Sequence, residues 1–490
     1  MVNKKRTEVA DCIRLSASNP ISYSFNTETE GKIMCVRATA HTQSQSTVAG
    51  ECRVTASALF TAIFQNDDGF FQNENTVTFD IVFKDERIAE NSLLAINYTV
   101  NDIKYEQNGD EYVISAIIDS EADFLTVTEH DYAENIDGAI VKTQDMDGVC
   151  RLTRFTASGD FDGEKECAFE IAAMLYHEEH VRVTSSGAGA DQTYVGGEIV
   201  SEFLLVTKRG ELVRESLVVP FRFEGDCTDC PPDAFVTVFA EVASASYRVE
   251  NSDEKRSVLS GMFTVDFTVN VFKRVCYHTI ADAFSESEEL YLVRDDVSFT
   301  QAAGTKELKY KCFGEATSDK GDDYVLGVIG SGVYPFDYKK DGNTLTLSGV
   351  IKADIAVRSK EGNIRKASAE MPFECSFDYD GEPMSVTCSV TKYVAKDLDG
   401  KCVVECELLF LTQYTCKKSL TVISEAEPGE AKKPDNCAVR IVFVEKGDDA
   451  WVVCKKAGVS EERLLRQNPD LVFPAEKDTG IIIYRKLENE

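Results

Sequence analysis

The stretch GGEIVSEFLLVTKRGELVRESLVVPFRF, residues 196–223, predicts a β-hairpin. Apolar and polar residues alternate on both sides of the turn signal KRGE. The same pattern returns without a gap in SGVIKADIAVRSKEGNIRKASAEMPFEC, residues 348–375. The positions that the two copies share are Gly197 and Gly349, Gly210 and Gly362, Pro220 and Pro372, and Phe221 and Phe373. The chain therefore repeats a β-rich unit.

A fainter copy of this hairpin occupies residues 52–85. In this copy Gly69 corresponds to the turn glycine and Phe83 to the aromatic residue, and the loop between the strands is longer. Ile81 or Val82 replaces the proline. Each copy is followed by a strand, a polar turn and a longer alternating strand. The repeat is near 140 residues, which is too long for a solenoid unit. We expect a mainly β protein of three tandem domains, each with its own core, at residues 1–150, 151–300 and 301–423.

The Pro-Phe pair of the hairpin has a mechanical interpretation. Proline cannot donate to a β-ladder and is tolerated at a strand edge, whereas the aromatic ring can anchor the hairpin on the core. The alternative is a binding role for the exposed edge.

The charge and the cysteine pattern restrict the choice of partners and compartment. The formal charge of the 490-residue chain is -32, which would repel nucleic acids and anionic lipid headgroups. No apolar run of signal-peptide or membrane-spanning length follows the basic start MVNKKR. The 16 cysteines are scattered through strand-like stretches and are expected to be reduced. We expect a cytoplasmic protein that binds no nucleic acid and does not insert into membranes.

Signatures of enzymes are missing from the sequence. The chain lacks a Gly-rich phosphate loop, a nucleophile elbow and a zincin motif, and it has five histidines. His177 and His180 could share a metal if they were helical, but a solvated turn or helix end is favoured over a metal site. Cys227 and Cys230 form a CxxC in a Pro-rich loop, where a structural role is favoured over half a zinc site or a redox pair. We predict no catalytic centre, no cofactor and no metal.

The C-terminal part of the chain differs from the repeats. Residues 424–437, SEAEPGEAKKPDNC, are rich in Pro, Glu, Lys and Ala and predict a linker. Residues 438–490 predict a strand, two short helices and a strand. Asp448 or Asp449 can cap the first helix, Gly458 ends it, and Ser460 caps the second.

This tail resembles a LysM module, a small βααβ domain. Gly-Asp (447–448), Trp451, Gly-Val-Ser (458–460), Leu-Leu (464–465) and Asn-Pro-Asp (468–470) occur in the order of that family. The resemblance implies a partner-binding surface that we place on Val439, Phe443, Lys446, Asp448, Trp451, Asn468 and Pro469. Trp451 is the only tryptophan, and both core packing and a share in the partner surface remain open for it.

Departures from the LysM pattern disfavour a glycan ligand. Glycan-binding LysM modules hold the sugar between the Gly-Asp-Thr loop and the loop after the second helix. Here Asp449 replaces the usual Thr, Ala450 replaces the usual Leu, and PAEKDTG (474–480) lengthens the second loop. The alternative function is binding of peptidoglycan or chitin oligosaccharides, which would require that this cleft still binds sugar.

The repeated domains are similar to the SPOCS domain of spore-forming Firmicutes. VVPFRF (218–223) and EMPFEC (370–375) fit its Pro-Phe strand, and IADAFS (280–285) fits its joining motif. Three such domains followed by a LysM module resemble the SipL and SpoVID type of spore coat morphogenetic protein. That resemblance implies a non-enzymatic scaffold in the mother-cell cytoplasm that tethers the coat to the forespore surface. Its LysM tail would bind the ATPase of the coat basement layer, and other coat proteins are further candidate partners.

Overall fold

The fold is mainly β, as predicted. A computed structural model describes residues 2–26, 31–67, 69–251, 255–316, 324–359, 364–398, 401–432 and 438–484. Within these ranges, no helix has the length and apolar character needed to cross a membrane.

The described residues up to 431 form three units of six strands each. Unit 1 consists of β1 (Val2–Asn26), β2 (Lys32–Val48), β3 (Glu51–Asn66), β4 (Gly69–Lys84), β5 (Leu93–Asn108) and β6 (Glu111–Ile136). Unit 2 consists of β7 (Ile140–Cys167), β8 (Ile171–Gly189), β9 (Gln192–Thr207), β10 (Leu212–Asp226), β11 (Phe235–Asn251) and β12 (Ser257–Phe284). Unit 3 consists of β13 (Glu288–Ala316), β14 (Tyr324–Asp341), β15 (Thr344–Arg358), β16 (Ile364–Asp378), β17 (Glu382–Leu398) and β18 (Lys401–Ala431).

Every unit pairs its strands in the same way. The sixth strand lies between the first and the fifth, and the third strand lies between the second and the fourth. Two three-stranded antiparallel sheets result, and the core of each unit lies where apolar faces of both sheets meet. This shared topology confirms that the chain repeats one β-rich unit.

The Pro-Phe strand lies where its sequence predicts. Pro220 is in β10, an edge strand of its sheet, and Phe221 points into the core. Phe221 pairs with Gly197 across the ladder, and Phe373 pairs with Gly349 in the same way in unit 3. A Cβ on Gly197 would lie 2.7 Å from the ring of Phe221. The same Cβ would lie 2.1 Å from the backbone carbonyl oxygen of Arg182, so no side chain fits at Gly197 unless its neighbours shift. Gly362, the repeated turn glycine of unit 3, lies outside the described residues.

The predicted domain boundaries are displaced. The junctions at 150/151 and 300/301 fall inside β7 and β13, and the third unit ends at 431 rather than 423. The residues on both sides of each predicted junction belong to one long strand, because β7 pairs with β12 and β13 pairs with β18 along most of their lengths. Register shifts interrupt these ladders and let such long strands bend.

The prediction of a linker at residues 424–437 is wrong for residues 424–431, because these residues form the end of β18. Val293 of β13 pairs with Glu425, and Glu288 pairs with Ala431. Backbone pairing does not require apolar side chains, and Pro428 is tolerated because only one side of β18 is paired at this end. Residues 433–437 of the predicted linker lie outside the described residues.

Besides the core inside each unit, two apolar clusters contain residues from all three units. One cluster joins Cys35 of unit 1, Tyr176 of unit 2 and Ile329 of unit 3. A second joins Tyr132, Tyr277 and Phe299, one from each unit. The ion pair between Arg37 and Glu178 is inside this junction, with Nη2 of Arg37 3.2 Å from Oε2 of Glu178. The three units therefore pack together, and removing one would expose apolar surface of the other two.

Candidate functional site: the C-terminal tail

The tail, residues 438–484, contains β19 (Val439–Val444), α1 (Ala450–Ala457), α2 (Glu461–Gln467) and β20 (Thr479–Tyr484). Asp449 caps α1 by accepting a hydrogen bond from the backbone N–H of Val452 at 2.7 Å. Gly458 ends α1 with a left-handed backbone, at φ 67°. Ser460 caps α2. The predicted capping residues are thereby confirmed, with Asp449 chosen over Asp448.

The sheet of the tail has one buried and one exposed face. β19 and β20 are antiparallel, and Val442, Val444, Ile481 and Ile483 pack against the helices. Because side chains alternate along a strand, the residues between them point away from the helices. Those outward residues are apolar as well.

We call the outward side of this sheet the tail face. It consists of Phe443, Ile441, Tyr484, Val439 and Ile482, whose exposed fractions are 77%, 61%, 54%, 48% and 38%. Val439 pairs with Tyr484 and Ile441 pairs with Ile482, so the five side chains form one patch. Contiguous exposed apolar patches mark interaction sites more often than scattered apolar residues do.

The seven predicted site residues do not share one surface. Val439 and Phe443 lie on the tail face. The carboxylate of Asp448 is used inside the tail, because it accepts from the backbone N–H of Glu445 at 2.9 Å and from Nζ of Lys456 at 2.8 Å. The amide of Asn468 holds β20, exchanging hydrogen bonds with the backbone of Ile482.

The other predicted site residues lie near the loops. Lys446 and Pro469 are exposed. Trp451 is half-buried and contacts unit 2: its ring meets Phe284 edge to face at 5.3 Å, and its Nε1 donates to Oδ2 of Asp282 at 2.9 Å. A single hydrophobic cluster contains Phe284 together with the core of the tail. Trp451 therefore anchors the tail to unit 2.

Polar contacts reinforce this docking. Lys455 donates to Asp282 at 2.6 Å, and the backbone N–H of Ser460 donates to Glu286 at 3.1 Å. Lys142 lies 3.4 Å from Asp449. Burial opposes ionisation of Asp282, but the hydrogen bonds from Lys455 and Trp451 outweigh it and lower the pKa of this carboxyl. The motif IADAFS thus supplies Asp282 and Phe284, two central contacts of the surface on which the tail rests.

The two loops that would flank a LysM-type sugar are bonded to each other. The N–H of Gly447 donates to the carbonyl of Ala475 at 2.8 Å, and the N–H of Ala475 donates to the carbonyl of Asp448 at 3.0 Å. Asp478 accepts from the N–H of Lys446 at 2.8 Å. These backbone groups therefore form hydrogen bonds inside the tail and are not free to bind a sugar.

The other candidate residues of the sequence lie elsewhere. His177 and His180 are in strand β8, three residues apart, so their side chains point to opposite faces and cannot share an ion. Nδ1 of His177 lies 2.7 Å from Glu179. Cys227 and Cys230 are buried in the core of unit 2. Burial, and then the hydrogen bond with Cys230, raises the pKa of Cys227 to about 12.

Sequence reasoning missed Ile441, Ile482 and Tyr484 of the tail face. The signal was present, because β20 reads Ile-Ile-Ile-Tyr where a sheet with one solvated face should alternate. It also missed Asp282 and Phe284, which only a docked tail brings to Trp451.

Comparisons of the chain with protein-family models, with curated proteins and with solved structures found no match.

Proposed function

We propose that this chain is a non-enzymatic scaffold of endospore coat assembly that links the coat to the forespore surface. In this proposal the tail binds the ATPase of the coat basement layer in the mother-cell cytoplasm. The SPOCS-like repeats and the LysM-like tail suggest the setting, and the tail face suggests where the partner binds.

The single observation that carries the proposal is the exposed tail face. Full burial of one large apolar side chain contributes about 1.5–3 kcal/mol. Phe443 and Ile441, the two most exposed members of the face, would together contribute several kcal/mol to a protein complex. Aromatic anchors of this kind are typical centres of protein interfaces.

Two further observations support a protein partner over a sugar. The loops flanking the LysM-type cleft use their backbone groups on each other, and Trp451 is engaged with unit 2. Charge adds to this argument, because residues 438–490 contain nine Lys or Arg and ten Asp or Glu. The nearly neutral tail can approach an acidic surface that the rest of the chain would repel.

The test is capture of the ATPase from a lysate of sporulating cells by the full chain. We expect the unmodified chain to retain the ATPase and Phe443→Asp to lose it. Val48→Asp is the matched control, because Val48 is also an exposed apolar residue of a strand, at 54% exposure, but lies in unit 1. The proposal is wrong if the unmodified chain retains no ATPase.

Sedimentation with insoluble peptidoglycan or chitin tests the alternative function. Cosedimentation of the full chain that survives Phe443→Asp would favour the glycan-binding module. We expect the chain to stay in the supernatant.

A further inference from the structure

Four side chains with metal-binding atoms share the outer surface of unit 2. Asp145 and Asp147 are on β7, and Cys276 and His278 are on β12. In the antiparallel ladder Asp145 pairs with His278 and Asp147 pairs with Cys276. All four are exposed, since the residues that alternate with them point to the opposite face.

The intervening residues fix the orientation of this group. Met146 and Tyr277 are buried in a cluster that contains residues from all three units. Turning the four side chains inward would require a one-residue slip of the ladder, which would expose Met146 and Tyr277. The backbone positions of the four donors are therefore held by the core beneath them.

The donor atoms are close enough for one ion. One ligand atom each from Asp145, Cys276 and His278 lies within 4.8 Å of the others. Nδ1 of His278 is 2.8 Å from Oδ1 of Asp145. Bonds of about 2.0–2.3 Å in a tetrahedral site place neighbouring ligand atoms about 3.3–3.8 Å apart. Small rotamer adjustments are enough to reach that spacing.

The donor set indicates which ion would bind. A thiolate, an imidazole and a carboxylate suit zinc, whereas calcium and magnesium prefer ligands that are all oxygen. Among the free cysteines that the structure describes, Cys276 is exposed and the others are buried or half-buried. A thiol at the surface beside His278 is accessible to an ion in a way that the core thiols are not.

We propose that Cys276, His278 and Asp145 bind a zinc ion on the outer surface of unit 2. Coordination replaces the S–H bond of Cys276 with a sulfur–zinc bond and releases the proton to solvent. Asp147, across the ladder from Cys276, supplies the fourth ligand after a rotamer change. The ion ties β7 to β12 near the ends of these strands that hold the tail through Lys142 and Asp282.

The experiment is a titration of the reduced full-length chain with cobalt(II), a spectroscopic substitute for zinc, followed by displacement with zinc. We expect one equivalent of cobalt to produce a thiolate-to-cobalt charge-transfer band that zinc removes. Cys276→Ser should abolish this band, and His278→Asn should weaken cobalt affinity by about tenfold or more. Circular dichroism should be unchanged in both variants, because the two side chains are exposed.

Two substitutions serve as matched controls. Cys150→Ser removes a half-buried thiol of β7, the strand that carries Asp145, and His130→Asn removes a histidine of unit 1. Both should leave the band unchanged. Absence of a band at saturating cobalt, or a band that survives both Cys276→Ser and His278→Asn, would overturn the proposal.

Discussion

Replacing Asp282 by alanine should release the tail from unit 2. The carboxylate accepts from Nε1 of Trp451 at 2.9 Å and from Nζ of Lys455 at 2.6 Å. A hydrogen bond to a charged group contributes about 1.5–3 kcal/mol. The ion pair with Lys455, whose side chain is 45% exposed, adds less than about 1 kcal/mol. The docked state should thus lose about 2–4 kcal/mol, which raises the ratio of undocked to docked tail roughly 30-fold to 700-fold.

Fluorescence measures this release directly, because Trp451 is the only tryptophan of the chain. In the docked state its ring contacts Phe284. We expect Asp282→Ala to shift the emission to longer wavelength and to increase quenching by acrylamide. Asp295→Ala is the control, because Asp295 is an exposed acid of the neighbouring strand β13. The same emission and quenching in Asp282→Ala as in the unmodified chain, with an unchanged circular dichroism spectrum, would refute the docking.

Three further predictions concern stability, measured by urea unfolding. Gly197→Ala should cost about 1–3 kcal/mol, because its methyl group would collide with the backbone carbonyl of Arg182 and with the ring of Phe221. Glu178→Gln should cost about 3–5 kcal/mol, because it removes a carboxylate charge that pairs with the buried guanidinium of Arg37. Burial, then the nearby Asp266, raises the pKa of Glu241 from 4.5 to about 8. The unfolded chain therefore ionises first, stability falls as pH rises from about 4.5 to about 8, and Glu241→Gln should reduce this fall.

Each of these predictions has a matched control. Gly332→Ala should change stability by less than about 1 kcal/mol, because nothing lies within 4 Å of the added methyl group. Glu129→Gln should also change stability by less than about 1 kcal/mol, because Glu129 pairs with Arg6 at the surface. Glu250→Gln, at an exposed position of the same strand as Glu241, should preserve the pH dependence. Equal effects of a substitution and its control would contradict the corresponding argument.

Local patterns predicted the elements of the tail well, because capping is decided within a few residues. Asp449, Gly458 and Ser460 lie where their chemistry requires. The unit boundaries were harder to predict. The end of β18 is held by backbone pairing with β13, which is more than 100 residues away in sequence, and it therefore tolerates polar residues and Pro428. The sequence did not suggest the proposed zinc site, because Asp145 and His278, which make its shortest contact, are 133 residues apart.

The sequence by itself determined that the chain repeats a β-rich unit with a Pro-Phe strand and ends in a short helical tail, because alternation, turns and caps are local properties. The tertiary structure decided which apolar residues stay exposed, since Phe443 and Phe284 are both apolar in sequence. Phe284 is covered by Trp451, whereas Phe443 faces solvent. Burial depends on what the rest of the chain brings to a side chain, and that information belongs to the long-range packing of the three units and the tail.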